Sequence, residues 1–387
     1  MDNTESTALF VVFHRQDGAI VHAHLKANGW LDATVEPVEL EGECIGFPIG
    51  LQHEVEGILS QLPVPARLEQ HTAVARSPVD PHRRLSEAVA TWMDQYEVDE
   101  GALSVVLPSK WERLGELVLL PHEVLCSEAW QLLRQHEAAA SLWQGMATAL
   151  KCTSLGVQAP IASDVFRSSQ VEMLLGTSEV HFLDHGITYT FDAANVMFSS
   201  GNITERRRIG SINMEGETVV DAFAGVGYYT FPMLIGGGAA HVHACEINPA
   251  SIQGLRAGAK ANGLEERLTI HQGDNAQTLP LLRGLADRCH MGLLPSSESV
   301  WEDSLLSLKP SGGTLHVHMN VEEERLMSWV ESTLKRFQSI ADQHALNVSV
   351  AADHLEKVKW FAPHVRHVVL DIKVTPNHPA DQPSPLP

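Results

Sequence analysis

Basic residues are scarce in this 387-residue chain, where 27 Lys+Arg face 48 Asp+Glu for a formal charge of −21. The first hundred residues alone hold 17 acids and six bases. Phosphate binding needs Lys and Arg close at hand, so a protein that coats nucleic acid by bulk electrostatics is excluded, and only a local basic site stays open. Cysteine is also rare. Cys44, Cys126, Cys152, Cys245 and Cys289 are odd in number and share no C-x-x-C spacing, which argues for cytosolic thiols and against a disulfide framework or a zinc knuckle. The opening MDNTESTALFVVFHR has acids where a secretory signal needs bases, and no transit peptide is evident, so a cytoplasmic location is expected. Only Ala222 to Ala240 is uncharged over nearly a bilayer's length. It holds five glycines and Pro232, which suit a strand end, a tight loop and a buried helix rather than a membrane span, and predict a soluble chain.

What is present is globular, with 44% hydrophobic and 19% charged residues, and the length predicts two or three domains. Residues 1–90 alternate short apolar runs (ALFVVF, AIVHAHL, GFPIGL) with turns and end in the turn-rich RSPVDPHRR; no role can be read there. Residues 91–209 form an expected α+β region. It has strands at ALSVVLP and LVLLP, one long amphipathic helix over EAWQLLRQHEAAASLWQGMATALK, and strand-like VEMLLG, EVHFLDHG and ITYTFDAANVMFS. From 210 to 375 strands and helices alternate as β-α-β-α-β and onward, the pattern of an open, mainly parallel sheet. The Pro-rich 376–387 reads as a disordered tail.

Open sheets of this kind bind ligands beyond the carboxyl ends of their strands. After the first strand, DAFAGVGYYT (221–230) sets Gly225 and Gly227 where a backbone without side chains permits close approach, with Asp221 as an acceptor. Thr230 stands in place of the third glycine of a dinucleotide fingerprint, so a smaller ligand is expected. About twenty residues on, Glu246 closes the next strand, where an acid can accept from both hydroxyls of a ribose. Asp274-Asn275 closes the third and can bond an adenine edge. Ribose, adenine and an amino-acid tail on the glycine loop together describe S-adenosylmethionine (SAM). The pairs His22/His24, His241/His243 and His316/His318 each share a strand face, but no third ligand falls at a zinc-site spacing, so no metal is expected.

Five stretches carry a family resemblance: PSKWERLGELVLLP (108–121), GITYTFDAANVMFSSGNITERRR (186–208), DAFAGVGYYTFP (221–232), HACEINP (243–249) and GLLPSSE (292–298). They resemble the tRNA wybutosine-synthesising protein 2 family. The resemblance implies a class I SAM-dependent methyltransferase-like (Rossmann-like) α/β fold preceded by an α+β domain. It also implies transfer of the 3-amino-3-carboxypropyl group of SAM to 4-demethylwyosine at position 37 of phenylalanine tRNA, with release of methylthioadenosine. For SAM it implies Ser199, Arg206, Asp221, Phe223, Ala224, Gly225, Gly227, Glu246, Asp274, Asn275 and Pro295, with Arg206 meeting a carboxylate. It makes Glu205 the general base with Asn202 beside it and turns Arg167 toward the base or its phosphate, while Arg207 and Arg208 read either as tRNA phosphate contacts or as a solvated helix face. Two departures stand out: Arg206 is often Lys in the family, and residues 1–90 match nothing in it.

The related tRNA guanosine-37 N1-methyltransferases share the glycine loop but carry Asn-Leu-Pro after the fourth strand. This chain has Leu293-Leu294-Pro295 followed by Ser-Ser-Glu, which favours carboxypropyl transfer. Methyl transfer is the nearest rival. A non-catalytic SAM-fold protein that binds tRNA is the rival from another class, and the intact Asp221, Glu246 and Asp274-Asn275 set speaks against it.

Overall fold

The computed structural model describes residues 7–50, 55–75, 80–98, 105–158, 169–196 and 200–377. Ser199, Arg167 and nearly all of the expected tail lie outside the described residues. The chain divides into two compact units, Met1–Arg83 and Arg84–Pro387, so the boundary falls a few residues before the expected 90.

In the first unit Thr7–His14 is flanked by Cys44–Ile49 and Arg67–Thr72 in a four-stranded antiparallel sheet, with Val38–Leu40 at one edge. AIVHAHL, expected among the short runs of that region, lies within a helix, Gly18–Ala27. Val21 and Leu25, one helical turn apart, are its buried residues and pack with Val11 and Phe47 of the sheet.

The second unit opens in the helix Pro81–Gln95 and goes on to a smaller sheet in which Leu117–Pro121 and Ser154–Gln158 run parallel. The described part of ALSVVLP, Val105 to Pro108, is not strand. The single long helix expected after it is two helices, Glu128–Gln135 and Ala139–Ala149. His136 is extended at the break, and its Nδ1 accepts from the Ala138 N–H (3.1 Å), a local bond that competes with helix continuation.

The large sheet then follows. We label its strands β1 (Thr218–Asp221), β2 (His241–Glu246), β3 (Leu268–Gln272), β4 (Arg288–Met291), β5 (Gly313–Glu322), β6 (Val348–Ala362) and β7 (Val365–Pro376). Their spatial order is β3-β2-β1-β4-β5-β7-β6. The four pairings from β3 to β5 are parallel, and β5–β7 and β7–β6 are antiparallel because a tight turn joins β6 to β7. Alternation along β1 sends Val219 into the core on one face, with Phe231 and Leu255, and Val220 into the core on the other, with Leu315 and Phe337. The first of these cores also takes in Tyr189 and Phe191 of the hairpin Glu179–Asp192, so part of the expected 91–209 region packs with the large sheet. Helix α1 (Ile203–Ser211) leads into β1. The uncharged run 222–240 is a loop followed by the short helix Thr230–Ile235, and no helix among the described residues is long and apolar enough to cross a membrane.

Candidate active site

A cavity of about 600 Å³ opens at the carboxyl ends of β1, β2 and β4. At the β2 end, Glu246 accepts three backbone N–H groups: Gly225 at 2.7 Å on Oε2, and Ile247 and Asn248 at 3.0 and 2.7 Å on Oε1. Two carboxylate oxygens have about four acceptor sites, so about one is left for a hydroxyl of a ribose. Burial, opposed by those three donors, raises the Glu246 pKa above its ordinary value. Asp274 caps the short helix after β3 through Oδ1 and the Ala276 N–H (2.8 Å), and Asn275 Nδ2 donates to the Ala222 carbonyl (2.7 Å). Both face the cavity beside Phe223.

The glycine loop divides its work. Gly225 lines the cavity at φ 57°, and a Cβ there would run into the Tyr228 ring. Gly227, at φ 98°, is not among the lining residues. A Cβ on it would sit 2.5 Å from the Phe231 ring, so this glycine serves packing. Asp221 is fully buried and accepts from the Thr230 hydroxyl (2.7 Å), bracing the loop from beneath. Ala224 is buried and donates to the Cys245 carbonyl (3.0 Å), while Pro295 is exposed with Leu293 and Leu294 lining the cavity in its place.

At the other end, Asn202 and Arg206 line the cavity. The buried Oδ1 of Asn202 and the buried hydroxyl of Tyr229, another lining residue, have no hydrogen-bond partner among the described residues. Arg206 is 3% exposed and ion-paired to Asp184 at 2.8 Å, so its charge is already matched. Glu205 is fully buried and outside the lining; Arg208 donates to both of its oxygens (2.7 and 2.8 Å) and reaches Asp371 at 2.6 Å. The Arg208 guanidinium is therefore engaged internally rather than turned to solvent or phosphate. Arg207 is exposed, its Nε bonded to His185.

The His316/His318 pair belongs to buried chains across β4, β5 and β7. His318 bonds His290 and His367, each at 3.0 Å. His316 lies between Arg288 (2.8 Å) and Asp371 (2.6 Å). Arg288 can only donate, so His316 accepts at Nε2 and gives its Nδ1–H to Asp371, the neutral tautomer. Burial pushes the His316 pKa down to about 4, in agreement. No group of three or more His, Cys, Asp or Glu among the described residues is arranged to hold a metal.

Sequence reasoning brought together Asn202, Arg206, Phe223, Gly225, Glu246, Asp274 and Asn275. It missed Tyr228, Tyr229, Ser251, Lys359 and Phe361. The last two sit in K-V-K-W-F (357–361), where two lysines lead into two adjacent aromatics, a signal that was there to be read.

The profile of the TRM5/TYW2 methyltransferase domain matches residues 180–350, and that of the TYW2 N-terminal domain matches 96–179. The chain is 38% identical over 301 residues to tRNA wybutosine-synthesizing protein 2/3/4 of Arabidopsis thaliana, covering 78% of this chain but 29% of that protein. It therefore spans about a third of the length of the plant relative. To the tRNA wybutosine-synthesizing protein 2 homolog of Danio rerio it is 38% identical over 302 residues, 70% of this chain and 72% of the relative. The crystal structure of P. horikoshii TYW2 in complex with MeSAdo superposes with a TM-score of 0.59 at 26% identity, over 75% of this chain and 99% of that one. With two family domains in tandem, and a relative matched over most of its own length, this chain belongs to the tRNA wybutosine-synthesizing protein 2 (TYW2) family.

Proposed function

We propose that this chain transfers the 3-amino-3-carboxypropyl group of SAM to 4-demethylwyosine at position 37 of phenylalanine tRNA, in the cytoplasm. The observation that carries the reading is the cavity itself, in which the one carboxylate at the end of β2 lines the wall with about one acceptor site left for a ribose hydroxyl while Asp274 and Asn275 stand beside it. The orphaned polar atoms of Asn202 and Tyr229 give the amino-acid arm two further partners. The fit is thus chemical as well as steric. Glu246 would hold the ribose, Asp274 and Asn275 the adenine, and Phe223 an apolar wall. SAM supplies a sulfonium whose Cγ is electrophilic: a base carbon bonds to Cγ as the Cγ–S bond breaks, methylthioadenosine leaves, and the base carbon then loses its proton. Glu205, outside the cavity lining with both oxygens on Arg208, is our candidate to receive that proton by way of water rather than directly, its pKa raised by burial against the lowering effect of Arg208. Arg207, exposed on α1, is the arginine of this run best placed to meet phosphate. That a TYW2 protein was crystallised with MeSAdo, the nucleoside left by this transfer, supports it over methylation.

The test uses SAM labelled separately in its methyl and carboxypropyl groups, with tRNA from a strain blocked at 4-demethylwyosine. Carboxypropyl label entering tRNA is expected. Methyl label entering a parallel sample of unmodified tRNA, with no carboxypropyl label entering the blocked tRNA, assigns the chain to N1-methylation, and neither label entering either tRNA leaves a binding protein.

A further inference from the structure

The hairpin of β6 and β7 brings two residues to the cavity that nothing above has employed. β6 is the edge strand, separated from β2 by four others, yet Lys359 and Phe361 line the same cavity as Glu246. Irregular pairing puts them there. Lys357 pairs with Val368, Lys359 with His367, Trp360 with Arg366 and Ala362 with Val365, which leaves Val358 and Phe361 as extra residues in two bulges. Bulges re-aim side chains and favour the surroundings of active sites. Here they bring Lys359 and Phe361 to the cavity while Trp360 lies against the Arg366 guanidinium, 3.6 Å from its ring centre.

Both residues are oddly placed for a purely structural role. Phe361 is 59% exposed, a large aromatic left open at a cavity rim. Lys359 is half-buried, its ammonium lying over Gly201 so closely that a Cβ there would come within 2.6 Å of Nζ. Among the described residues that ammonium has no carboxylate or hydrogen-bond partner, although neighbouring cations do. Arg206 holds Asp184, and Lys357 and Arg366 share Glu323 at 2.8 and 2.7 Å. Burial and the nearby Arg206 charge lower the Lys359 pKa, which is the mark of a cation without its counterion.

We propose that this rim seats the acceptor nucleotide, Phe361 stacking on the face of the base and Lys359 pairing with a phosphate of the same RNA segment. An anion partner two residues from an open aromatic face is the chemistry of single-stranded nucleic acid. The inference deepens the tRNA reading above and rests on it. The other anion that the lysine could meet is the SAM carboxylate, and the experiment separates the two.

In the full chain, SAM affinity is measured by calorimetry. Affinity for tRNA blocked at 4-demethylwyosine is measured by anisotropy across a salt series, with a melting curve for each variant. Lys359→Met is expected to weaken tRNA binding and lower the salt slope by about one, with Lys359→Arg restoring both. Phe361→Ala is expected to weaken tRNA binding about tenfold at unchanged slope, as loss of one stacked base does, and Phe361→Tyr to restore it. SAM affinity stays at the wild-type value throughout. Loss of SAM affinity in Lys359→Met with an unchanged tRNA slope gives the lysine to SAM and overturns the proposal. So does wild-type tRNA binding in Lys359→Met and Phe361→Ala. If Lys359→Met melts early, the surface substitution Phe361→Ala decides. A wild-type chain that binds tRNA but transfers no carboxypropyl group overturns the function proposed above and leaves this rim to be judged on binding alone.

Discussion

At the β2 end of the cavity Glu246 is held by three backbone N–H groups, whereas beside α1 Glu205 is held by one side chain, Arg208, which is itself bound to Asp371. Burial raises both pKa values. Glu246 nevertheless lines the cavity, while Glu205 lies outside the lining with both oxygens on a guanidinium. A site held by main-chain donors tolerates loss of any one side chain around it. A site held by a side-chain chain fails as a unit.

The sharpest way to break this contrast is Arg208→Ala, which strands Glu205 and Asp371 without a cation. A loss of about 3–5 kcal/mol is expected, read from the denaturant midpoint. A loss near zero would mean that the acceptor end does not depend on its side-chain network.

The pH dependence of stability probes the same half of the sheet. His316 and His367 titrate near 4 in the fold and His318 well below its ordinary value, all chiefly through burial, against 6.5 for the free imidazole. Between those values the unfolded chain binds protons that the folded one refuses. Stability is therefore full above pH 6.5 and falls as the pH drops toward 4, by about 1.4 kcal/mol per pH unit for each group. Replacing His318 with Asn should flatten the slope in urea melts taken at pH 7 and pH 5. An unaltered slope would show that these imidazoles are not held neutral.

At the other end, Glu246→Ala should weaken SAM binding by about 1–3 kcal/mol in calorimetry and also lower the melting temperature, because the N–H groups of Gly225, Ile247 and Asn248 lose their acceptor. Unchanged affinity would remove Glu246 from the site. The smallest effect is expected for Arg207→Ala, an exposed side chain: a salt slope for tRNA lowered by about one, with SAM binding unaffected. An unchanged slope would place Arg207 on a solvated face.

The same contrast explains what could be read from the sequence. Gly225, Glu246 and Asp274-Asn275 follow strands at regular intervals, so spacing along the chain located this wall of the cavity and the alternating αβ order of the large sheet. Arg208 meets Asp371 across 163 positions, a pairing that no local pattern carries, and a run of three arginines looked alike before the fold set each against a different partner. Gly227 was expected to approach the ligand, but it lies outside the cavity lining, and its reason, the Phe231 ring, was not legible. Phe361 was legible by residue type, following a lysine and a tryptophan, but not by facing: strand periodicity assumes even pleating, and two register shifts between Lys357 and Ala362 undo it.

The account as a whole turns on which carbon of SAM reaches the base. The direct measurement is mass spectrometry of the position-37 nucleoside together with the nucleoside co-product, from one incubation of the full chain with SAM and tRNA blocked at 4-demethylwyosine. We expect a base heavier by one aminocarboxypropyl group and methylthioadenosine in equal amount. S-adenosylhomocysteine with a singly methylated base would contradict it.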